Sequence, residues 1–209
     1  MTMSTNQLGR WSAFGQFLIG VAYIVMLALG FAVYGLSEPI VDPLLATMEV
    51  LTLLSAPLLV VMMAAIHSYA PPDRKTHSLI ALAFMILVAG TTSAVHFAQL
   101  TALRQLGTAG IVWPSPAYAV ELLAWNFFLG LSLLFAAPVF DNRGLELRIR
   151  RGLLVSGVLC LAGVIGPAVG NMRLQLVGVL GYAGVLPVVC LMLWRLFRGN
   201  PIPRTAPAS

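Results

Sequence analysis

The sequence predicts an all-helical membrane protein: a bundle of six transmembrane helices with both termini in the cytoplasm. The chain has 209 residues, of which 59% are hydrophobic and only 9% are charged, whereas soluble domains carry about 25% charged residues. The apolar residues form six segments, each long enough or nearly long enough to cross a hydrocarbon core about 30 Å thick. Lys and Arg residues collect in alternate connections between these segments, as expected for a polytopic protein.

The six predicted spans form one domain, residues 1–198, followed by a short tail, residues 199–209. The predicted bounds of the spans are 14–35, 43–69, 77–103, 116–140, 147–169 and 171–197. The tail contains three prolines and few apolar residues, so it is predicted to be a disordered cytoplasmic segment.

Capping residues mark the beginnings of several spans. Asp42-Pro43 and Ser115-Pro116 each place a capping side chain directly before a proline, which is well tolerated at the first position of a helix. Asn171 is in position to cap the sixth span. These residues predict that spans two, four and six begin at the same side of the membrane.

The distribution of the twelve Lys and Arg residues predicts the orientation of the bundle. One side carries ten of them: Arg10, Arg74, Lys75, Arg143, Arg148, Arg150, Arg151, Arg195, Arg198 and Arg204. The other side carries Arg104 and Arg173. The positive-inside rule therefore places the first side in the cytoplasm. Short loops and this charge asymmetry are typical of a protein of the bacterial inner (plasma) membrane.

The sequence offers no motif for a metal, a cofactor or a nucleic acid. Cys160 and Cys190 both lie within apolar spans, where cysteine packs as a small hydrophobic residue, and neither belongs to a C-x-x-C pair. Walker, G-x-G-x-x-G and H-E-x-x-H motifs are absent. The basic residues lie between apolar segments and form no patch for nucleic acid. We therefore predict no metal site, no cofactor and no nucleic-acid partner.

Polar side chains within the spans are the candidates for function, because an ionisable group at mid-span costs about 2.5–3.5 kcal/mol on insertion. Glu49, His96 and Glu121 lie on spans two, three and four, each about 8–10 Å below the outer boundary at 1.5 Å per residue. Gln99 shares a helical face with His96, and Asn126 lies just beyond Glu121. These five residues predict a polar, ligand-binding cavity that opens to the outer side.

Three functions remain compatible with this pattern. The favoured one is a binding or transport protein for a small molecule, a proton or an amphiphile, and it requires Glu49, His96 and Glu121 to converge on a hydrated cavity. A membrane enzyme acting on a lipid or isoprenoid-like substrate would use either glutamate as acid–base with His96 as partner, beside a lateral opening. A non-catalytic scaffold or subunit would have fully paired polar residues and no cavity.

Small residues are frequent in spans five and six. Gly166 and Gly170 form a GxxxG motif, and Gly178, Gly181 and Gly184 recur three residues apart. Such residues allow two helix backbones to approach closely. Packing within one subunit is the favoured interpretation, and a homodimer contact through spans five and six is the alternative. Membrane lipids are the other expected partners.

Overall fold

A computed structural model of the chain describes residues 3–35, 38–107 and 113–199. Within these ranges the chain is all-helical, with no strand, and six helices are long and apolar enough to cross a membrane. They are α1 (Thr5–Tyr34), α2 (Leu44–Tyr69), α3 (Pro72–Leu103), α4 (Pro116–Val139), α5 (Gly144–Ala168) and α6 (Met172–Gly199). The predicted number of apolar helices is confirmed, and it suggests an integral membrane protein.

Helices α2 to α6 begin and end within five residues of the predicted bounds. Helix α1 begins earlier, at Thr5 and not at residue 14, because a capping box stabilises its polar first turn. In this box the Ser4 Oγ accepts from the Gln7 backbone N–H at 3.3 Å, and the Gln7 Oε1 accepts from the Ser4 N–H at 2.9 Å. Gly199, assigned to the tail from the sequence, is the last residue of α6, and residues 200–209 lie outside the described part of the chain.

Two of the predicted helix caps are confirmed, and the third residue, Asp42, lies one position before the N-cap Pro43 while its Oδ1 accepts from the Ala46 N–H at 3.0 Å. The Ser115 Oγ accepts from the Tyr118 backbone N–H at 3.2 Å at the beginning of α4. The Asn171 Oδ1 accepts from the Arg173 N–H at 3.1 Å at the beginning of α6. Each bond satisfies a backbone donor that the first turn of a helix leaves without an intrahelical partner.

The six helices form a closed ring, in which each packs against its sequence neighbours and α6 closes against α1. At one end, Arg74 of α3 pairs with Asp141 of the α4–α5 connection at 2.9 Å, and the Tyr69 hydroxyl donates to the Glu146 carboxylate at 2.6 Å. We call this the basic end, because it carries most of the arginines. The opposite end, formed by the α1–α2, α3–α4 and α5–α6 connections, is called the cavity end.

Glycines bring α5 and α6 into backbone contact. A Cβ atom on Gly163 would lie 2.7 Å from the Gly178 Cα, and one on Gly166 would lie 2.5 Å from the Gln175 backbone nitrogen. Only glycine fits where two backbones approach this closely. The packing accounts for Gly163, Gly166 and Gly178 within one subunit, and the homodimer through these helices stays a prediction.

A Gly178→Ala substitution is expected to lower the free energy of unfolding by about 1–3 kcal/mol, the usual cost of overpacking a tight core. The reason is that the added methyl group would conflict with the Asn126 side-chain oxygen and lie 3.3 Å from the Gly163 Cα. Gly184→Ala on the same helix is the matched control, since its Cβ would meet no atom within 4 Å. Unfolding of both variants in one detergent measures the difference, and equal losses of stability would contradict the packing.

The interior toward the basic end is filled by apolar side chains, which we call the apolar floor. These side chains are Leu59, Met62, Met63, Ile66, Met85, Leu133, Leu186 and Leu193, all fully buried or nearly so. They lie between the cavity described below and the basic end, and none of them belongs to the lining of that cavity.

Candidate functional site

A cavity of about 790 Å³ lies inside the ring at the cavity end. Helices α1, α2, α3, α4 and α6 supply its walls, together with residues of the α1–α2 connection. Glu38, Trp113 and Arg173 stand at its mouth, in or beside the connections. The volume lies within the range of about 300–1,000 Å³ that is usual for small-molecule sites.

Three of the five residues predicted from the sequence line this cavity. They are Glu49 of α2, His96 of α3 and Glu121 of α4, so three separate helices bring ionisable groups to one space. Gln99 and Asn126 are buried, but neither belongs to the described lining.

His96 and Glu121 form a direct pair. The His96 Nε2 lies 2.8 Å from the Glu121 Oε1, and both side chains are largely buried. This contact joins α3 to α4 and fixes the orientation of the imidazole ring. Each group keeps one polar atom, the His96 Nδ1 and the Glu121 Oε2, without a hydrogen-bond partner among the described residues.

Glu49 is paired with Arg104, which follows the last turn of α3. The Arg104 Nη1 donates to the Glu49 Oε2 at 2.8 Å, while its Nε and Nη2 donate to the two Asp42 carboxylate oxygens at 3.2 and 3.0 Å. One guanidinium therefore binds Asp42 through two parallel hydrogen bonds and Glu49 through a third. The Glu49 side chain is only 1% exposed, so Arg104 compensates a deeply buried carboxylate.

Gln99 lies at the point where α3 changes from an α-helix to a π-helix, which covers Gln99–Leu103. The wider turn leaves its carbonyl oxygen accessible to a side chain, and the Arg104 Nη1 donates to it at 3.0 Å. Gln99 thus supports the arginine, and its position on the His96 face does not bring it into the cavity wall.

Asn126 packs against α5 and α6 and does not lie in the cavity wall. Cβ atoms built on Gly163 and Gly178 would both touch its Oδ1, which places the amide between these two glycines. The reason is a π-helical segment, Leu123–Phe128, which adds a residue to the turn after Glu121 and rotates the following side chains. The prediction that Asn126 faces the cavity assumed a regular α-helix, which lacks this rotation.

The described part of the chain contains three π-helical segments, and two of them contribute residues to the cavity wall. The three segments are Gln99–Leu103 in α3, Leu123–Phe128 in α4 and Leu180–Val185 in α6. Trp125 and Tyr182, from the second and third, line the cavity and contact each other with ring centroids 5.3 Å apart. Single π-helical turns inside α-helices are frequent at functional sites, which agrees with a built cavity at this position.

The contribution of α1 to the wall was not predicted from the sequence. Gln16, Gly20, Tyr23 and Leu27 all line the cavity, and their 4-3-4 spacing places them on one helical face. A spacing of three residues likewise places His96 and Gln99 on one face of α3. Gln16 and Tyr23 carry no charge, however, and an uncharged polar residue is a weak signal within an otherwise apolar span.

The lining residues contain several buried polar atoms without a hydrogen-bond partner in the described part of the chain. The acceptor atoms among them are the Gln16 Oε1, the Glu49 Oε1 and the Glu121 Oε2, and the Ser55 Oγ can accept or donate. The Trp125 Nε1 is an unpaired donor. Buried polar groups are normally satisfied, so a cluster of unsatisfied ones beside a cavity is typical of a binding site.

The Arg104 guanidinium lowers the pKa of the Asp42 carboxyl below its ordinary value of 3.8, chiefly through their hydrogen bonds. The folded state therefore favours ionised Asp42. Its stabilising contribution is complete above the ordinary pKa and is lost as the pH falls through the lowered pKa. The side chain is 52% exposed, so solvent screening keeps this contribution small.

The difference in melting temperature between the natural protein and Asp42→Asn is expected to be present at neutral pH and to shrink below about pH 4. Protonation then removes from the natural protein the same charge that the substitution removes. Thermal unfolding across this pH range measures it, with Asp73→Asn as the control at the basic end. A difference that does not change with pH would contradict the Arg104–Asp42 interaction.

No group of three His, Cys, Asp or Glu residues in the described ranges is arranged to hold a metal ion. Comparison with protein-family models, with curated proteins and with solved structures finds no match to this chain. The chemistry of the cavity is therefore the basis on which a function can be proposed.

Proposed function

We propose that this protein binds a small molecule or an amphiphile in the cavity, which faces the outer side of the membrane. The observation that carries the proposal is the convergence of Glu49, His96 and Glu121 on one space of about 790 Å³. Ionisable groups within a membrane are costly and most often mark a ligand or ion pathway. The orientation follows from the positive-inside rule, which assigns the basic end to the cytoplasm.

The apolar floor supports binding over transport. Ser55, Trp125 and Ala183 are the lining residues farthest along α2, α4 and α6 toward the basic end. About one turn farther along α2 and α6 lie Leu59 and Leu186, which are buried and apolar. Transport would require this floor to open.

The hydrogen bonds of the polar groups at the cavity also help to distinguish binding from the two alternatives, a scaffold and an enzyme. A scaffold would have fully satisfied polar residues and no cavity. Here the Glu49 Oε1 and the Glu121 Oε2, which have no hydrogen-bond partner among the described residues, belong to residues that line a cavity. An enzyme acting on a lipid or isoprenoid-like substrate is the second candidate. It is supported by the His96–Glu121 pair, since a carboxylate that orients an imidazole suits general acid–base catalysis.

Native mass spectrometry of the purified protein, incubated with a total extract of its expression host, tests the binding function. The natural protein is expected to retain a stoichiometric extra mass. Leu27→Trp should reduce it, because Leu27 lines the wall and the larger side chain narrows the cavity. Leu29→Trp is the matched control on the same helix, where the side chain is 45% exposed on the outer surface of the ring. No retained mass, or equal retention by Leu27→Trp, would contradict the proposal.

A further inference from the structure

Carboxylates are concentrated at the cavity, although the chain as a whole has a net charge of +5. Four of its seven acidic residues line the cavity: Glu38, Asp42, Glu49 and Glu121. Among the described lining residues only Arg173 is a lysine or arginine, and it is exposed at the mouth. Arg104, beside the wall, is engaged by Asp42 and Glu49. The space therefore has an excess of negative charge.

The unpaired polar atoms of the wall are mainly acceptors. Oxygens of Gln16, Glu49, Ser55 and Glu121 are buried without a donor among the described residues. The Gln16, Glu49 and Ser55 residues are each more than nine-tenths buried. A carboxylate oxygen only accepts hydrogen bonds, whereas an ammonium group supplies up to three N–H donors. A ligand that satisfies this set must donate hydrogen bonds.

Aromatic rings form much of the remaining wall. Tyr23, Tyr118, Trp125 and Tyr182 all line the cavity, and Trp113 contacts Tyr118 at the mouth with ring centroids 6.2 Å apart. The faces of such rings attract cations and also cover apolar groups. A wall of this kind suits a cation attached to an apolar body better than an inorganic ion.

We propose that the ligand of this cavity is an organic amine: an ammonium group that carries N–H donors, attached to an aromatic or aliphatic body. This inference rests on the proposed binding function and adds its chemical class. The ammonium group occupies the acidic wall near Glu49 and Glu121, and the apolar body lies against the tyrosine and tryptophan side. An anionic ligand would face four carboxylates against two cationic side chains, Arg173 in the described wall and Arg104 beside it, which is already engaged by Asp42 and Glu49.

Tryptamine, tryptophol and indole-3-propionate test the class, because they share one ring system and differ in charge. Binding to the full-length protein in nanodiscs of neutral lipid is measured by equilibrium dialysis. Tryptamine is expected to bind about tenfold or more tightly than either analogue, the usual range for a hydrogen-bonded charge. Glu121→Gln should remove this preference, and Glu121→Asp should retain it. Asp73→Asn, which removes a carboxylate from the exposed basic end, should leave it unchanged.

The outcomes separate this inference from the function on which it rests. Equal binding of the three compounds, weakened by Leu27→Trp, would overturn the amine class and leave a binding cavity. Stronger binding of indole-3-propionate would overturn it in the same way. Binding of none of them would also overturn it, and the retained mass in native mass spectrometry then decides the binding function separately. If Glu121→Gln does not fold, the preference shown by the natural protein decides alone.

Discussion

Arg104→Met is expected to lower the free energy of unfolding by about 3–5 kcal/mol, the cost of breaking a buried ion pair by removing one partner. The Glu49 side chain is 1% exposed, and its Oε2 accepts from Arg104 at 2.8 Å. Without the guanidinium, this carboxylate would remain buried and uncompensated. The Arg104 side chain is itself only 23% exposed, so solvent screens the pair weakly.

Unfolding in a single detergent, with a double-mutant cycle, measures this effect. Arg104→Met combined with Glu49→Gln should recover part of the lost stability, because the neutral amide needs no counter-charge. Arg173→Met is the control: the same residue type at the same end, exposed and without an ion pair in the described part of the chain. A loss no larger than that of Arg173→Met, or no recovery in the double variant, would contradict the Arg104–Glu49 pair.

Leu59→Ala is expected to cost about 2–5 kcal/mol, because it deletes a fully buried side chain and leaves a gap in the apolar floor. Leu59 lies one turn of α2 beyond Ser55, so this gap would also deepen the cavity. The effect is therefore expected both in stability and in the size of ligand that the protein accepts.

Leu54→Ala provides the comparison on the same helix. Its side chain is 54% exposed on the outer surface of the ring, where lipid replaces the lost contacts, and the change should stay within about 0.5 kcal/mol. Thermal unfolding of both variants measures this difference in stability. Equal stability of Leu59→Ala and Leu54→Ala would mean that the interior below the cavity is not packed as described.

Most of the fold could be predicted because lipid imposes a simple rule on the sequence. Every span must be apolar and about 20 residues long, so hydropathy and capping residues locate the helices closely. The capping box at Ser4 and Gln7 extends α1 beyond its apolar part, and the predicted bound failed there because a helix continues after hydropathy ends.

The site was predicted in part, since depth can be read from the sequence but facing direction cannot. Glu49, His96 and Glu121 share a depth and do line one cavity. Asn126 also has a suitable depth, but the π-helical turn beside it directs the amide toward Gly163 and Gly178. No residue pattern in one sequence distinguishes that turn from a regular α-helix.

The partners of Arg104 also could not be predicted from the sequence. The sequence places it at the end of its span, where an arginine is expected to fix topology. Its long side chain instead reaches back to Asp42 and Glu49, which lie on a different helix and its preceding connection. The partner of a long, flexible side chain depends on the packing of neighbouring helices, so it emerges only from the folded ring.

Labelling of Thr52→Cys by a charged, membrane-impermeant thiol reagent tests most directly whether the polar residues surround a hydrated cavity open at one end. Thr52 lines the cavity. The natural Cys160 and Cys190 are fully buried, so they should not react. Leu54→Cys, on the lipid-facing side of α2, is the control. We expect Thr52→Cys to react in right-side-out vesicles and to be protected by Leu27→Trp, while Leu54→Cys stays unlabelled. Absence of labelling from the outer side, or labelling only in inverted vesicles, would contradict the outward-facing binding cavity.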